Sequence, residues 1–195
     1  MFSKAIIQGR AHRLRGQNCQ DVAFWRDAGE GWGTAVVLDG CGSGFQDESG
    51  VFPSRNEVGA SLLGQFIADF LANHMPLESR NAIDDLLGQL YAESLRFLEG
   101  LADLYPGEDD HYRRRFIMTH LLCTVIGVVN SPAGTVFFWQ GDGLLRVDRT
   151  IIQLNEDNQP DYLAYSLFDN HSQRSAFHTC HLRAAPELLA VATDG

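Results

Sequence analysis

The chain has 195 residues, enough for one domain with a substantial hydrophobic core, and we expect a single domain over residues 1–195. Hydrophobic residues make up 45% of the chain and charged residues 21%, which is typical of a soluble globular protein and argues against a disordered one. The net charge of −10 argues against nucleic acid as a partner, because binding to the phosphate backbone requires a basic face.

The sequence predicts neither a membrane partner nor export. Its longest apolar run, Leu121 to Val129, is far shorter than the roughly 20 apolar residues that a membrane-spanning helix needs. No long apolar stretch follows the basic residues near the N-terminus, so a signal peptide is not expected. The four cysteines form no Cys-x-x-Cys pair, and we therefore expect reduced thiols in a cytoplasmic protein, without a zinc site.

Three strands are predicted first along the chain. Residues 5–8 and 22–25 are short apolar stretches that predict two of them. The third is the apolar run in "TAVVLDGCGSG" (Thr34 to Gly44), which ends in an aspartate followed by three glycines within five positions.

Two helices are predicted to follow. Apolar residues recur every three or four positions from 58 to 71, which indicates a helix with one apolar face. Ser54 and Glu57 resemble a capping box at its start. A second helix is predicted from about Leu77 to Leu104, before the helix-breaking Pro106-Gly107.

The rest of the chain is predicted to be mainly strands. The segment "NSPA" separates two apolar runs and indicates a hairpin, whereas residues 155–175 have no clear period and predict a long, flap-like loop. The order of elements lacks regular βαβ alternation, so it indicates an α+β protein with largely antiparallel sheets covered by helices. The predicted strands are 120–129, 134–142, 143–148, 150–154, 176–182 and 188–195.

Two of the predicted strands end in Asp-Gly, at Asp39-Gly40 and Asp194-Gly195. Mg²⁺ and Mn²⁺ prefer oxygen ligands, and a glycine lets its backbone carbonyl approach an ion closely. Asp39, the Gly40 carbonyl and Asp194 would therefore form a sparse, water-rich cation site able to lower the pKa of a bound water. Alternatively, each Asp-Gly pair only closes a tight turn, which is a common use of this pair.

Three other motifs are not expected to carry chemistry. His178 and His181 would point to opposite faces of a strand, which disfavours a shared metal. Cys41 is not followed by the arginine that a cysteine-based phosphatase requires. The glycines after Asp39 are not followed by the Gly-Lys-Ser/Thr of a phosphate-binding P-loop.

Several segments, in this order, resemble the metal-dependent Ser/Thr protein phosphatases of the PPM (type 2C) family, especially its bacterial members. The resemblance covers nearly the whole chain and implies a four-layer α-β-β-α sandwich, in which two mainly antiparallel sheets are flanked by helices and the metal site lies at one end. The segments are "GRAHRLRGQNCQDVAF" (Gly9 to Phe24), "VVLDGCGSG" (Val36 to Gly44), "RNEVGASLL" (Arg55 to Leu63), "FFWQGDGLLRV" (Phe137 to Val147) and "LLAVATDG" (Leu188 to Gly195).

The resemblance also implies a role for individual residues. Asp39 would bridge two Mn²⁺ or Mg²⁺ ions, and the Gly40 carbonyl would bind one of them. Asp194 would hold the other ion, and Asp142 would help to bind a third, weaker one.

Two further residues would belong to the surroundings of the ions. Asp21 matches a carboxylate that binds metal-bound waters, and Gln20 could serve the same shell through its carbonyl oxygen. The implied reaction is direct attack of the bridging water on a phosphoserine or phosphothreonine of a protein substrate, without a phosphoenzyme, which suits an in-line displacement between two metals. Such an enzyme would oppose a Ser/Thr kinase.

The phosphate-binding residues depart from the family pattern. The family usually has an arginine five positions before the residue matched by Asp21, whereas this chain has Gly16 there. Arg15 and Arg13 lie just upstream, and Arg15 is the candidate because an arginine fork suits phosphate; the alternative is a solvated surface arginine. His12 could donate a proton to the leaving alkoxide, although a lone histidine is more often structural.

The family continues beyond its Ser/Thr-Asp-Gly strand to an Asp-Asn segment that completes one metal site, whereas this sequence ends at Gly195. We therefore expect either a fragment or a protein without that ligand. A protein Ser/Thr phosphatase is the first hypothesis. A phosphatase-like regulatory or binding module without strong activity, and a phosphatase of small phosphorylated metabolites, are the alternatives.

Overall fold

The computed structural model describes residues 3–8, 13–14, 18–29, 31–77, 79–104, 110–154, 161–168, 176–182 and 186–193. These ranges contain the helices α1 (Asn56–Asn73), α2 (Arg80–Asp103) and α3 (Asp110–His120), and a short 3-10 helix, Leu163–Leu167. The strands are β1 (Asp21–Gly29), β2 (Trp32–Asp39), β3 (Phe45–Asp47), β4 (Gly50–Phe52), β5 (Val125–Ser131), β6 (Gly134–Gln140), β7 (Gly143–Val147), β8 (Thr150–Leu154), β9 (His178–His181) and β10 (Leu189–Ala192).

The strands form two main sheets in which every pairing is antiparallel. The larger sheet has the order β1-β2-β5-β6-β9, and the smaller one has the order β10-β7-β8. Strands β3 and β4 pair separately as a small hairpin. The β5–β6 hairpin closes where Ser131 pairs with Gly134, which confirms the turn predicted from "NSPA".

The larger sheet buries both of its faces. Successive residues of a strand point to opposite sides, so Val36 and Leu38 pack with the helices, whereas Ala35 and Val37 pack with the smaller sheet. Buried residues of all three helices belong to the first of these cores. The predicted α+β class with antiparallel sheets is confirmed, and the described residues supply three of the four expected layers, namely helices, large sheet and small sheet.

Several element boundaries differ from the predictions. Residues 5–8 form no strand, and Ile7 is 78% exposed. A third helix, α3, occupies the region where the strand predicted at 120–129 was to begin, and β5 starts only at Val125. An apolar run such as residues 121–129 does not by itself distinguish a helix end from a buried strand.

Two further predictions require correction. The capping box is wrong, because α1 follows Arg55 without a side-chain cap and the Ser54 hydroxyl donates to the carbonyl of Cys41 instead. Part of the predicted flap is core: in the 3-10 helix, Leu163 is buried on the helix side of the large sheet. The remaining flap residues, 155–160 and 169–175, lie outside the described ranges.

No helix in the described part of the chain has the length and apolarity needed to cross a membrane.

Helix α1 packs through its glycines. A Cβ atom at Gly59 would lie 2.1 Å from the carbonyl oxygen of His120 at the end of α3, and one at Gly64 would lie 2.6 Å from the Phe24 ring. Neither position has room for a side chain. The close approach of α1 to α3 therefore depends on Gly59.

We predict that Gly59→Ala lowers the free energy of unfolding by about 2 kcal/mol, because the new methyl group overlaps backbone atoms that cannot rotate away. Gly88→Ala is the matched control. It lies inside α2 with no atom within 4 Å of its Cβ position, so it should gain up to about 1 kcal/mol from helix propensity. Urea unfolding measures both, and equal effects of the two substitutions would contradict the packing described for α1.

Candidate functional site

Asp21 and Asp39 form a cross-strand pair at one end of the large sheet. Asp21 is the first residue of β1, Asp39 is the last residue of β2, and the two are direct register partners. Residues opposite each other in an antiparallel pair project to the same face with their Cβ atoms about 4.5–5.5 Å apart. Two carboxylates at that separation repel each other, so this pair favours a bound cation or strong hydrogen-bond donors between them.

The backbone around Asp39 is fixed on both sides. The Asp39 amide donates to the hydroxyl of Thr124 at 3.1 Å, and the Thr124 amide donates back to the Asp39 carbonyl at 2.9 Å. On the other side, the Gly40 amide donates to the carbonyl of Gln20 at 3.0 Å. The Asp39 carboxylate is therefore presented from a strand end that cannot easily shift.

Asp39-Gly40 is not a tight turn. Gly40 extends the strand by bridging to Cys123, and the Cys41 amide donates to the Leu122 carbonyl at 2.9 Å. A Cβ atom at Gly40 would lie 2.7 Å from the carbonyl carbon of Asn56 at the start of α1. Glycine is required here because the helix start packs against this strand, a reason that the sequence did not reveal.

The smaller sheet contributes to the same end of the sandwich. The Thr193 hydroxyl, directly after β10, donates to a carboxylate oxygen of Asp21 at 2.7 Å. The next residue, Asp194, and Gly195 lie outside the described ranges. This hydrogen bond brings Thr193, the residue before Asp194 in the sequence, to Asp21.

Asp142 lies in the turn between β6 and β7, at the same end. Gly141 and Gly143 flank it with positive φ angles of 95° and 147°. A Cβ at Gly141 would lie 2.7 Å from the Thr124 side chain, and one at Gly143 would lie 2.7 Å from the Ala192 carbonyl oxygen. The turn is thus wedged between the segment that holds Asp39 and the end of β10.

The other predicted site residues are less directly placed. Gln20 is buried. Its side-chain nitrogen donates to the Cys41 carbonyl and to the Ser54 hydroxyl, both at 3.4 Å. Its side-chain oxygen lies beside Gly42. Arg13 is exposed. His12 and Arg15 lie outside the described ranges, so their phosphate-binding roles stay predictions.

Two titratable groups beside the site are held neutral. Burial, together with the negative charge of Asp39, raises the pKa of the Cys123 thiol to about 12. Burial also raises the pKa of the Tyr162 hydroxyl, with contributions from a hydrogen bond to Cys41 and from the charge of Asp142. The hydrogen bond between Tyr162 and Cys41 brings the residue that precedes the 3-10 helix, in the predicted flap, next to the site.

The donors present fit a hard cation. Carboxylate, hydroxyl and backbone carbonyl oxygens are the ligands that Mg²⁺ and Mn²⁺ prefer, and the Asp21–Asp39 pair supplies two carboxylates at one point. Among the described residues, no group of three or more His, Cys, Asp or Glu side chains is close enough to hold an ion. His178 stacks on Trp139 and His181 pairs with Asp84, as expected for structural histidines.

A separate groove of about 780 Å³ lies between the two sheets. Its walls include Trp25, Val37, Val128 and Leu189, and none of the predicted site residues within the described ranges lines it. Its size alone therefore does not make it the site of chemistry.

Asn56 and Thr124 bond the backbone next to Asp39 and Gly40, and the sequence interpretation missed both residues. Asn56 is fully buried and bonds the Cys41 carbonyl, directly after Gly40, and the Leu122 amide of the neighbouring segment. An asparagine at a helix start ordinarily indicates a cap, and a threonine before a strand carries no distinctive signal. No local pattern in the sequence would have identified either residue.

Residues 8–195 match the family described as Protein phosphatase 2C. Among solved structures, a variant of a bacterial serine phosphatase is 12% identical with a TM-score of 0.53, covering 85% of this chain and 64% of its own. A serine/threonine phosphatase from Staphylococcus aureus is 14% identical with a TM-score of 0.50, covering 97% and 70%. One from S. agalactiae is 14% identical with a TM-score of 0.51, covering 97% and 72%.

This chain thus spans less than two thirds of the first of these structures. At these identities the likeness shows the fold. No curated protein matches the chain.

We predict that Cys123 resists thiol reagents in the native protein, because at pH 8 a group with a pKa of about 12 is almost entirely in the unreactive thiol form. The partly exposed Cys19, Cys41 and Cys180 should react first. Release of thionitrobenzoate, with and without urea, counts the thiols, and mass spectrometry identifies them. Labelling of native Cys123 as fast as the other three would refute the buried setting described beside Asp39.

Proposed function

Because this chain belongs to the protein phosphatase 2C family, we propose that it is a metal-dependent protein phosphatase that hydrolyses phosphoserine and phosphothreonine. The observation that carries the proposal is the Asp21–Asp39 pair, two carboxylates in direct register at the end of the sandwich where Thr193 and Asp142 also lie. The opposing Ser/Thr kinase and a cytoplasmic setting with reduced thiols belong to the same proposal.

In this proposal, Asp39, the Gly40 carbonyl, Asp142 and Asp194 hold two or three Mn²⁺ or Mg²⁺ ions. When bound, such ions neutralise phosphate oxygens and lower the pKa of water. The protein contributes orientation: the hydrogen bonds between Asp39 and Thr124 fix the strand end, so the carboxylate does not have to reorganise during the reaction.

Asp21 has a different proposed role. One of its oxygens accepts the Thr193 hydroxyl, which holds the carboxylate in one orientation, and the other, which the Cys19 thiol contacts at 3.9 Å, is proposed to orient a water. The water loses a proton to solvent as its oxygen bonds to phosphorus, the bond from phosphorus to the seryl or threonyl oxygen breaks, and the leaving alkoxide takes up a proton, for which His12 is the proposed donor; no phosphoenzyme forms. Gln20 is proposed to support this arrangement, and Arg15, Arg13 or His12 to contact the phosphate.

A phosphatase-like binding module with weak or no turnover is the second candidate. It is favoured by the protein donors that Asp21 already has, the Thr193 hydroxyl at 2.7 Å and the Cys19 thiol at 3.9 Å. The two functions share the fold and differ in whether the carboxylates present support hydrolysis.

We expect the full chain to hydrolyse p-nitrophenyl phosphate with Mn²⁺ and to lose this activity in EDTA. Asp39→Asn should reduce kcat at least about 100-fold, because it removes the charge of the carboxylate that opposes Asp21. Asp85→Asn, which changes an exposed carboxylate of α2, is the control and should retain activity. Metal-dependent turnover that survives Asp39→Asn would refute the site, and a folded but inactive wild-type chain would favour the binding module.

We expect phosphoserine and phosphothreonine peptides to have higher kcat/KM than sugar phosphates under the same conditions. Phosphate release measured with both substrate classes tests this expectation. If the chain instead prefers sugar phosphates and loses that activity in Asp39→Asn, the proposed metal site stands, but the proposed protein substrate is wrong.

A further inference from the structure

Asn56, the first residue of α1, is fully buried, yet every polar atom of its side chain has a partner. Its amide nitrogen donates to the Cys41 carbonyl at 2.9 Å, to the Ser54 hydroxyl at 3.0 Å and to the Met118 carbonyl at 3.5 Å. Its carbonyl oxygen accepts the Leu122 amide at 3.0 Å. One side chain therefore joins the backbone after β2, the end of α3 and the segment that leads into β5.

These contacts determine the orientation of the Gly40–Cys41 peptide. In a planar trans peptide the carbonyl and the following amide point in opposite directions. The Cys41 amide points to Leu122, so the Gly40 carbonyl points the other way, toward β1, the strand that begins at Asp21. Asn56 bonds the two neighbours of this peptide: the carbonyl of Cys41, which belongs to the next peptide, and the amide of Leu122, whose own carbonyl accepts the Cys41 amide.

We propose that Asn56 is a positioning residue for the divalent cation site: by fixing the Gly40–Cys41 peptide, it aims the Gly40 carbonyl and the adjacent Asp39 carboxylate at the cation. This role rests on the proposed function, because it presupposes that these two groups hold a metal ion. Residues that orient ligands from outside the coordination sphere typically change metal affinity about 10-fold to 100-fold when they are removed.

A purely structural role would have a different signature. Asn56 also links α1 to α3 through Met118, so its removal destabilises the fold whether or not a metal binds. The test must therefore separate lost stability from lost metal affinity. Leu98→Ala is a suitable match, because Leu98 is fully buried, belongs to the same helix-side core and lies on α2, a different element from those that carry Asp21, Asp39 and Asn56.

The experiment is a titration of the full chain with Mn²⁺, followed by electron paramagnetic resonance of the free ion, below the unfolding transition of every variant. We expect Asn56→Ala to raise the Kd for Mn²⁺ at least about tenfold, whereas Leu98→Ala leaves it within about twofold. Equal weakening by Asn56→Ala and Leu98→Ala, or wild-type affinity in Asn56→Ala, would overturn the positioning role.

If Asn56→Ala does not fold, Asn56→Ser decides the question. Serine is favourable at a helix start but is too short to bond both the Cys41 carbonyl and the Leu122 amide. A raised Kd for Mn²⁺ supports the positioning role of Asn56, and an unchanged Kd contradicts it.

Asp39→Asn in the same titration separates this inference from the proposed function. If Asp39→Asn binds Mn²⁺ like the wild type, or the wild-type chain binds none, the proposed metal site fails and the role of Asn56 fails with it. If Asp39→Asn loses Mn²⁺ but Asn56→Ala retains it, the metal site stands and only the role of Asn56 is overturned.

Discussion

The start of helix α1 lies in direct backbone contact with the end of β2, and the position of the candidate site depends on this contact. Gly40 leaves no space for a side chain against Asn56, and the Asn56 side chain occupies the gap between β2, α3 and β5. An unpaired buried amide would cost about 1–3 kcal/mol, so these partners must all be present together. The same bonds that complete the core therefore set the backbone from which Asp39 projects.

This backbone arrangement brings two carboxylates together, and their repulsion costs free energy unless a positive charge lies nearby. Register places Asp21 opposite Asp39, and the Thr193 hydroxyl supplies a hydrogen bond but no positive charge. Like charges directly opposite each other destabilise an antiparallel pair. A bound divalent cation reverses the sign of this interaction, so cation binding and the stability of this end of the sandwich are thermodynamically linked.

The sequence predicted those parts of the fold and site that follow from local patterns. The Asp-Gly after an apolar run placed Asp39 at a strand end, and "NSPA" located a hairpin, because both signals lie within a few neighbouring residues. The arginines at 113–115 indicate a solvated helix face, but α3 was not predicted as a separate element, because its arginine-rich turns show little apolar periodicity and only four residues separate its end from β5. Asn56 was missed because its partners, Cys41, Met118 and Leu122, are brought to it only by the tertiary fold.

The same distinction explains why Asp-Gly is ambiguous in sequence and unambiguous in the fold. A tight turn would reverse the chain after Asp39, whereas here Gly40 continues into a bridge with Cys123 and turns its carbonyl toward β1. This geometry leaves the Asp39 carboxylate and the Gly40 carbonyl near Asp21. In a tight turn, the backbone groups would instead hydrogen-bond to each other within the turn. The glycine is needed for the approach of a helix, and its carbonyl orientation is a consequence of that packing. In this site, the arrangement of potential metal ligands is therefore inseparable from the packing of α1 on the large sheet.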